Sequence, residues 1–193
     1  MVERVDIVTE RLVIRPISQE MAPDIFAAVV SSADDISRWM AWADGITYED
    51  EVAFVDSAVT GWDQGVMWAF TFWQDERLIG GVGLNRHGMA YLRRAELGYW
   101  IRTEAAGRGL TTEAAAAVVE FGFRVLGLHR LELHASPGNS ASHRVAEKVG
   151  FSKEGEHRDA TMGRSGFLDT YSYGLLESDP RMVLDPLEFR AQG

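Results

Sequence analysis

The chain has 193 residues, with 19 basic against 29 acidic side chains, a formal net charge of −10 and no cysteine. That length suits one domain with a self-sufficient core. The missing cysteines exclude thiol nucleophiles, disulfides, Cys-ligated zinc and iron–sulfur clusters, and the acidic balance argues against a general nucleic-acid binder while suiting a cationic partner. Met1 to Asp6 lack the apolar region of a secretory signal. No apolar run approaches the ~20 residues of a membrane span, so a soluble cytoplasmic protein is expected.

Glu10 to Ile17 alternates polar and apolar residues and predicts a half-buried strand. Ser18 then suits the N-cap of a helix over Gln19 to Val30, with Met21, Ile25, Ala28 and Val29 on one face. A short helix is predicted over Ile36 to Trp42. A longer one runs from Tyr48 to Trp62, entered at Thr47 with Asp50 as capping-box partner. Val66 to Trp73 and Arg77 to Leu84 predict a hairpin around Asp75-Glu76, and Arg94 to Arg102 a further strand. After Gly107 to Gly109, apolar residues recur at helical spacing from Leu110 to Val125, and Gly127 ends that helix. Arg130 to Ala135 is a strand, Ser140 to Val149 a helix ended by Gly150, and Phe151 to Asp159 and Asp169 to Leu176 the last strands. The order predicts one α+β domain with a mixed sheet over residues 1–193, its tail from 178 onward docking on the body, docking on a partner, or fraying.

The stretch from Glu96 to Glu113 reads as a strand, a Gly-x-Gly turn at Gly107-Arg108-Gly109, and a helix start at Leu110-Thr111. Glycines let the backbone approach a ligand, and a new helix offers unpaired N–H groups, so the turn can hold a phosphate or pyrophosphate. It is not a Walker A loop, because Leu110-Thr111 stands where Lys-Ser/Thr is needed. It is not a Rossmann fingerprint either, because Thr112 stands where the third glycine is needed. A plain helix-entry turn remains the bland alternative.

A second segment, His129 to Phe151 with Pro137-Gly138-Asn139 and Ser142, resembles the second signature of the GNAT N-acetyltransferases. The strand–Gly-x-Gly–helix then resembles their acetyl-CoA pyrophosphate loop. Glu10-Arg-Leu-Val-Ile-Arg-Pro16, Arg38-Trp39-Met-Ala-Trp42 and Ala95-Glu-Leu-Gly-Tyr-Trp100 are similar to the RimJ/RimL-type group, which acetylates ribosomal-protein N-termini. The resemblance spans roughly residues 8–177. It implies the GNAT fold, a mostly antiparallel sheet flanked by helices, with two parallel strands, Arg94–Arg102 and Arg130–Ala135, splayed apart. It also implies pantetheine paired with the backbone of Trp100, Ile101 and Arg102. The pyrophosphate would rest on Gly107, Arg108, Gly109, Leu110 and Thr111, with Arg102 and Arg108 compensating its charge. Arg144, Lys148 and Lys153 are candidates for the 3′-phosphate. Glu104 departs from the family pattern, which has Gln or Arg there.

Direct attack by a bound amine, the family's route, needs no enzyme nucleophile and agrees with the absence of cysteine. The position many members fill with a tyrosine acid is Ala146 here. Ser142 fits the Asn-x-x-Ser pattern of the RimL-like group and could donate a hydrogen bond to the sulfur. Asn139 would bind pantetheine or orient Ser142, or both residues could simply cap their helix. Glu96 is the preferred base, Glu132 the alternative, and an arginine-paired structural carboxylate the competing role for either. Tyr171 and Tyr173 are weaker proton-relay candidates. The five histidines show no metal-ligand spacing, and no metal is expected.

Between Asp34 and Asp63 stand eight acids and one base, Arg38, interleaved with Trp39, Trp42, Tyr48 and Trp62. Acids with aromatics suit a cationic amine. Trp39 and Trp42 are the substrate-binding candidates. The expected activity is acetyl-CoA-dependent N-acetylation of a primary amine, with a peptide N-terminus as the leading acceptor. Alternatives are a polyamine, an aminoglycoside, another acyl donor, or a non-catalytic acyl-CoA-binding module. A homodimer is expected by family analogy.

Overall fold

A computed structural model describes residues 2–191. Val5–Val8 (β1) and Val13–Pro16 (β2) form an antiparallel pair where the sequence predicts one strand. Thr9 closes the turn between them, its N–H donating to Leu12 O at 3.0 Å. A single 3-10 turn, Gln19–Met21, leads into α1, Ala22–Val30. Ser18 makes no capping bond there, and Pro23 in the first helical turn starts the helix instead.

The helix predicted over Ile36 to Trp42 is absent. α2 covers Ala33–Ile36, and Ala41–Ala43 form a separate 3-10 turn. The Ser37 carbonyl accepts from Arg164 N–H at 2.8 Å, and Gly163 lies against the Arg38 carbonyl. A neighbouring hairpin thus takes the carbonyl that a continuing helix would use. α3, Tyr48–Gln64, has the predicted capping box at Thr47 and Asp50 and ends at Gly65, φ +67°.

The remaining elements are β3 (Met67–Gln74), β4 (Arg77–Arg86), β5 (Arg94–Ile101), α4 (Leu110–Arg124), β6 (Arg130–Ala135), α5 (Ser140–Val149), β7 (Ser152–Gly163), β8 (Gly166–Leu176) and β9 (Glu188–Ala191). The nine strands of the described residues form one sheet in the order β7-β8-β6-β5-β4-β3-β2-β1-β9. Its one parallel pair is β5–β6; the other pairs are antiparallel. This is the α+β, mixed-sheet architecture that the resemblance implies.

α4 and α5 pack on one face of the sheet over Phe70, Phe72, Leu84, Leu97 and Leu131. Trp62, Phe70 and Phe121 meet there, with the Trp62–Phe70 ring centroids 5.2 Å apart. Each such buried aromatic contributes about 2–3 kcal/mol of transfer energy. A second cluster packs Ile25, Val29, Val55, Ala69 and Leu78 between α1, α3 and the sheet. The tail docks on the body of its own chain. Met182 N–H reaches Val149 O at 2.9 Å, Arg181 pairs with Glu120 at 2.5 Å, and β9 adds to β1.

Candidate active site

β5 and β6 pair through only three positions: Arg94↔Arg130, Ala95↔Leu131 and Glu96↔Glu132. Beyond Glu96 the two strands part, while β5 stays paired with β4 as far as Ile101 and β6 with β8 as far as Ala135. Strand residues turn their backbone groups alternately to either side. Arg102 N–H donates to Ile79 O of β4 at 2.8 Å, so Arg102 and Trp100 face β4. Tyr99 and Ile101 therefore turn their N–H and C=O groups into the parting. This corrects the predicted set of Trp100, Ile101 and Arg102. The Arg102 carbonyl is also taken, by Ala105 N–H at 3.0 Å.

The Arg102 side chain is committed as well. Its Nε donates to Leu78 O and one terminal nitrogen to Ser31 Oγ, both at 2.9 Å. Glu104 is held by Arg77 at 2.5 Å, which neutralises the acid that departs from the family loop. Arg108 is exposed at the turn.

Gly107 and Gly109 adopt φ +77° and +79°, the left-handed region that glycine enters freely. Gly109 is the N-cap of α4 and supplies no side-chain cap, so the first N–H groups of α4, at Leu110 and Thr111, lack an intrahelical partner. The loop is anchored from β2's approach. Arg11 Nε donates to Glu113 Oε2 at 2.6 Å, Thr9 Oγ1 donates to Glu113 Oε1 at 2.6 Å, and Arg11 also reaches Arg108 O at 3.0 Å. Sequence reading missed this tie; Arg11 and Glu113 lie about a hundred residues apart, beyond any local pattern.

The parting opens into a cleft of about 470 Å³ lined by Trp39, Glu96, Tyr99, His134, Asn139 and Ser142 among others. Glu96 lies between two histidines, with His87 Nε2 at 2.8 Å and His134 Nδ1 at 3.3 Å. The His87 approach satisfies ion-pair distance without hydrogen-bond geometry. Burial pushes the Glu96 carboxyl up, but contact with His134 and His87 outweighs it and holds the group below its ordinary value. The bond to Glu96 conversely raises His134. Glu132 is different, because Arg130 Nε donates to it at 2.9 Å; it is the arginine-paired carboxylate.

Asn139 Oδ1 accepts from Ser142 N–H at 3.1 Å, so Asn139 caps α5. The Ser142 hydroxyl shares a 2.8 Å hydrogen bond with Tyr99 OH. Burial pushes Tyr99 up to about 12, against the opposing pull of Ser142, so the phenol is neutral at physiological pH. Tyr99 is a further residue missed in the sequence, although it lies inside the resembling Ala95–Trp100 segment. Tyr173 OH meets His143 Nδ1 at 2.9 Å, and Lys153 sits over the Tyr171 ring, so both tyrosines are engaged outside the cleft's polar cluster. Among the described residues no group of three or more acids and histidines is arranged to hold a metal ion, and no helix is long and apolar enough to cross a membrane.

A larger cavity, about 610 Å³, lies beside the cleft, between α1, α3 and strands β3 to β5. The two share Met40, Gly98 and Tyr99 as lining residues. A Cβ at Gly98 would meet nothing within 4 Å, so the strand is open there. Trp39 falls in the cleft and Trp42 in the larger cavity. Glu51, at the start of α3, lines the larger cavity and is 2% exposed. Burial pushes its carboxyl up to about 7. The other acids of the predicted cluster are divided. Asp34 pairs with Arg164, Asp35 accepts from Thr103, Asp56 from Gln19, and Asp63 pairs with Arg4.

Residues 11–152 match the acetyltransferase (GNAT) domain family model. The chain belongs to the GNAT acetyltransferases. It is 30% identical to the uncharacterized N-acetyltransferase YoaA of Bacillus subtilis over 171 residues, 88% of this chain and 95% of the relative. The ribosomal-protein-S5-alanine acetyltransferase of Vibrio fischeri superposes with a TM-score of 0.82 at 20% identity, covering 91% of this chain and 98% of that one. Mycobacterium smegmatis RimJ in complex with CoA-disulfide superposes at 0.79 with 21% identity, covering 91% and 86%.

Two stability measurements check this geometry. Arg11→Ala leaves a Glu113 side chain of 8% exposure without its guanidinium, and should cost about 3 kcal/mol in urea unfolding; a cost under ~0.5 kcal/mol would mean the tie carries no load. Glu51 ionises near pH 4.5 when unfolded and near 7 when folded, so the folded state binds the extra proton in that window and stability falls as pH rises through it. Glu51→Gln should therefore be more stable than the parent above pH 7 by roughly 3 kcal/mol, with the gap closing below pH 4.5. A pH-independent difference would contradict the burial argument.

Proposed function

We propose that this acetyltransferase moves the acetyl group of acetyl-CoA directly to a primary amine, with a peptide or protein N-terminus as the leading acceptor. The parting of β5 and β6 beyond Glu96 carries this reading. It leaves the Tyr99 and Ile101 backbone edges without a strand partner and leads to the free N–H groups at the start of α4. An extended amide chain ending in a pyrophosphate matches those two features. Gly107, Arg108, Gly109, Leu110 and Thr111 would receive the pyrophosphate, and Tyr99 and Ile101 the pantetheine. Among the described residues the Asn139 side chain bonds only through its oxygen, so its N–H₂ can also face the ligand. Acetyl-CoA supplies an acyl group already activated as a thioester.

The chain's own residues supply proton handling. An acceptor amine must lose a proton, and Glu96, ionised and braced by His134, is placed to accept it directly or through water. The leaving sulfur needs a proton or a hydrogen bond, and Ser142 can give one, backed by Tyr99. Ser142 is not activated as a nucleophile. Its hydroxyl partner is a phenol rather than a histidine, and the neighbouring His143 is engaged with Pro137 O and Tyr173. That favours direct transfer over an acyl-enzyme.

A thermal shift should show stabilisation by CoA and acetyl-CoA and none by ATP. In a CoA-release assay over amines and peptides, Glu96→Gln should lower kcat about a hundredfold and Ser142→Ala about tenfold, with CoA stabilisation retained in both. No stabilisation by either CoA compound would overturn the reading. Unchanged rates would remove the two roles.

A further inference from the structure

The larger cavity contains a group that acetyl transfer as such does not require. Glu51 is almost fully buried, and its Oε1 has neither solvent nor a hydrogen-bond partner. A buried carboxyl without a partner costs stability, and an apolar residue of the same size would fill the space without that cost. Among the described residues, the remaining charged side chains lining the cavity are Asp44 and Asp50, and no Lys, Arg or His lines it. Asp50 spends its carboxylate on Thr47, accepting from its N–H at 3.0 Å and its hydroxyl at 2.6 Å. Asp44 is exposed. Trp42 and Phe54 also line the cavity and are 48% and 43% exposed, which offers aromatic faces to an entering cation. The inner walls, such as Ile25, Val29 and Met67, are apolar. The arrangement is an apolar passage that ends on a single unpaired acid and adjoins the cleft across Gly98 and Tyr99.

We propose that this cavity takes the part of the acceptor beyond the reacting amine, and that this part carries a second positive charge received by Glu51. The inference rests on the amine-acetylation reading and narrows its acceptor to a class: a primary amine with an ammonium or guanidinium group a few methylenes away. Such a cation restores the missing partner of Glu51 and fits a lining with acids and no base. The apolar walls suit the methylene stem that separates the two charges. A linear diamine and a peptide with a basic side chain next to its N-terminus share this chemistry.

The test reads binding rather than turnover. Calorimetric titrations of the CoA-loaded full chain compare cadaverine with pentylamine, and a peptide whose second residue is arginine with one whose second residue is leucine. The dication of at least one pair should bind about tenfold tighter than its monocationic match, and the pair that shows the preference identifies the source. In Glu51→Gln, which keeps the shape of the side chain, that preference should fall to near unity. Equal affinities within both pairs for the parent protein would overturn the proposal, and that comparison does not depend on any variant folding. A preference that survives in Glu51→Gln would overturn the role of Glu51. A protein that prefers the dications yet releases no CoA from acetyl-CoA would refute amine acetylation while supporting this assignment.

Discussion

Two strands that pair over three residues and then separate set the terms for the rest of this molecule. A parting in mid-sheet leaves backbone donors and acceptors without partners, which is costly unless a ligand or water meets them. The sheet survives because each strand is secured on its other side. β5 holds β4 through seven register positions and β6 holds β8 through six. The same alternation that commits Trp100 and Arg102 to β4 turns Tyr99 and Ile101 to the opening. Three polar groups of the candidate site are positioned by these two strands and the helix after them. Glu96 sits at the last paired position, His134 two residues further along the other strand, and Ser142 at the start of the helix that follows it.

Charge is arranged against the overall balance. A polyanionic ligand at the glycine turn would meet backbone N–H groups and an exposed Arg108, and the loop's own Glu104 is drawn off by Arg77. The acidic segment from Asp34 to Asp63 is not one patch. Four of its members are tied to partners from outside the segment or at its margins, as with Arg164 and Arg4. Three, Asp44, Asp50 and Glu51, line the larger cavity. Composition alone points to a cationic partner without saying where. The fold puts the one unpaired and buried acid at the inner wall of a cavity beside the cleft.

The legible parts of this fold were those with strong local signals. β6 and α5 begin and end where the sequence predicts, because an alternation of leucines with polar residues meets a Pro-Gly-Asn turn and a terminating Gly150. β1 and β9 were illegible: each is four residues long, and the partner of one is the other, at opposite ends of the chain. The helix predicted over Ile36 to Trp42 failed because Arg164 takes a carbonyl from it, a contact no local pattern announces. The site was legible to the extent that its motifs are contiguous. Gly107 to Leu110 form the turn and helix start that the contiguous motif predicts, and Glu96 and Ser142 line one cleft. Tyr99 and Glu51 were missed, since the first needs the pairing of a strand with a distant helix and the second needs burial, which sequence does not report for a Glu in a polar run.

Amide hydrogen exchange tests the central claim most directly. The parted strands predict rapid exchange at Tyr99 and Ile101 in the free protein, beside slow exchange at Trp100 and Arg102, whose N–H groups face β4. Added CoA should protect Tyr99, Ile101 and the N–H groups from Gly107 to Thr111 together, leaving Trp100 and Arg102 unchanged. Slow exchange at Tyr99 and Ile101 without CoA, or protection that appears elsewhere in the sheet when CoA is added, would contradict the account.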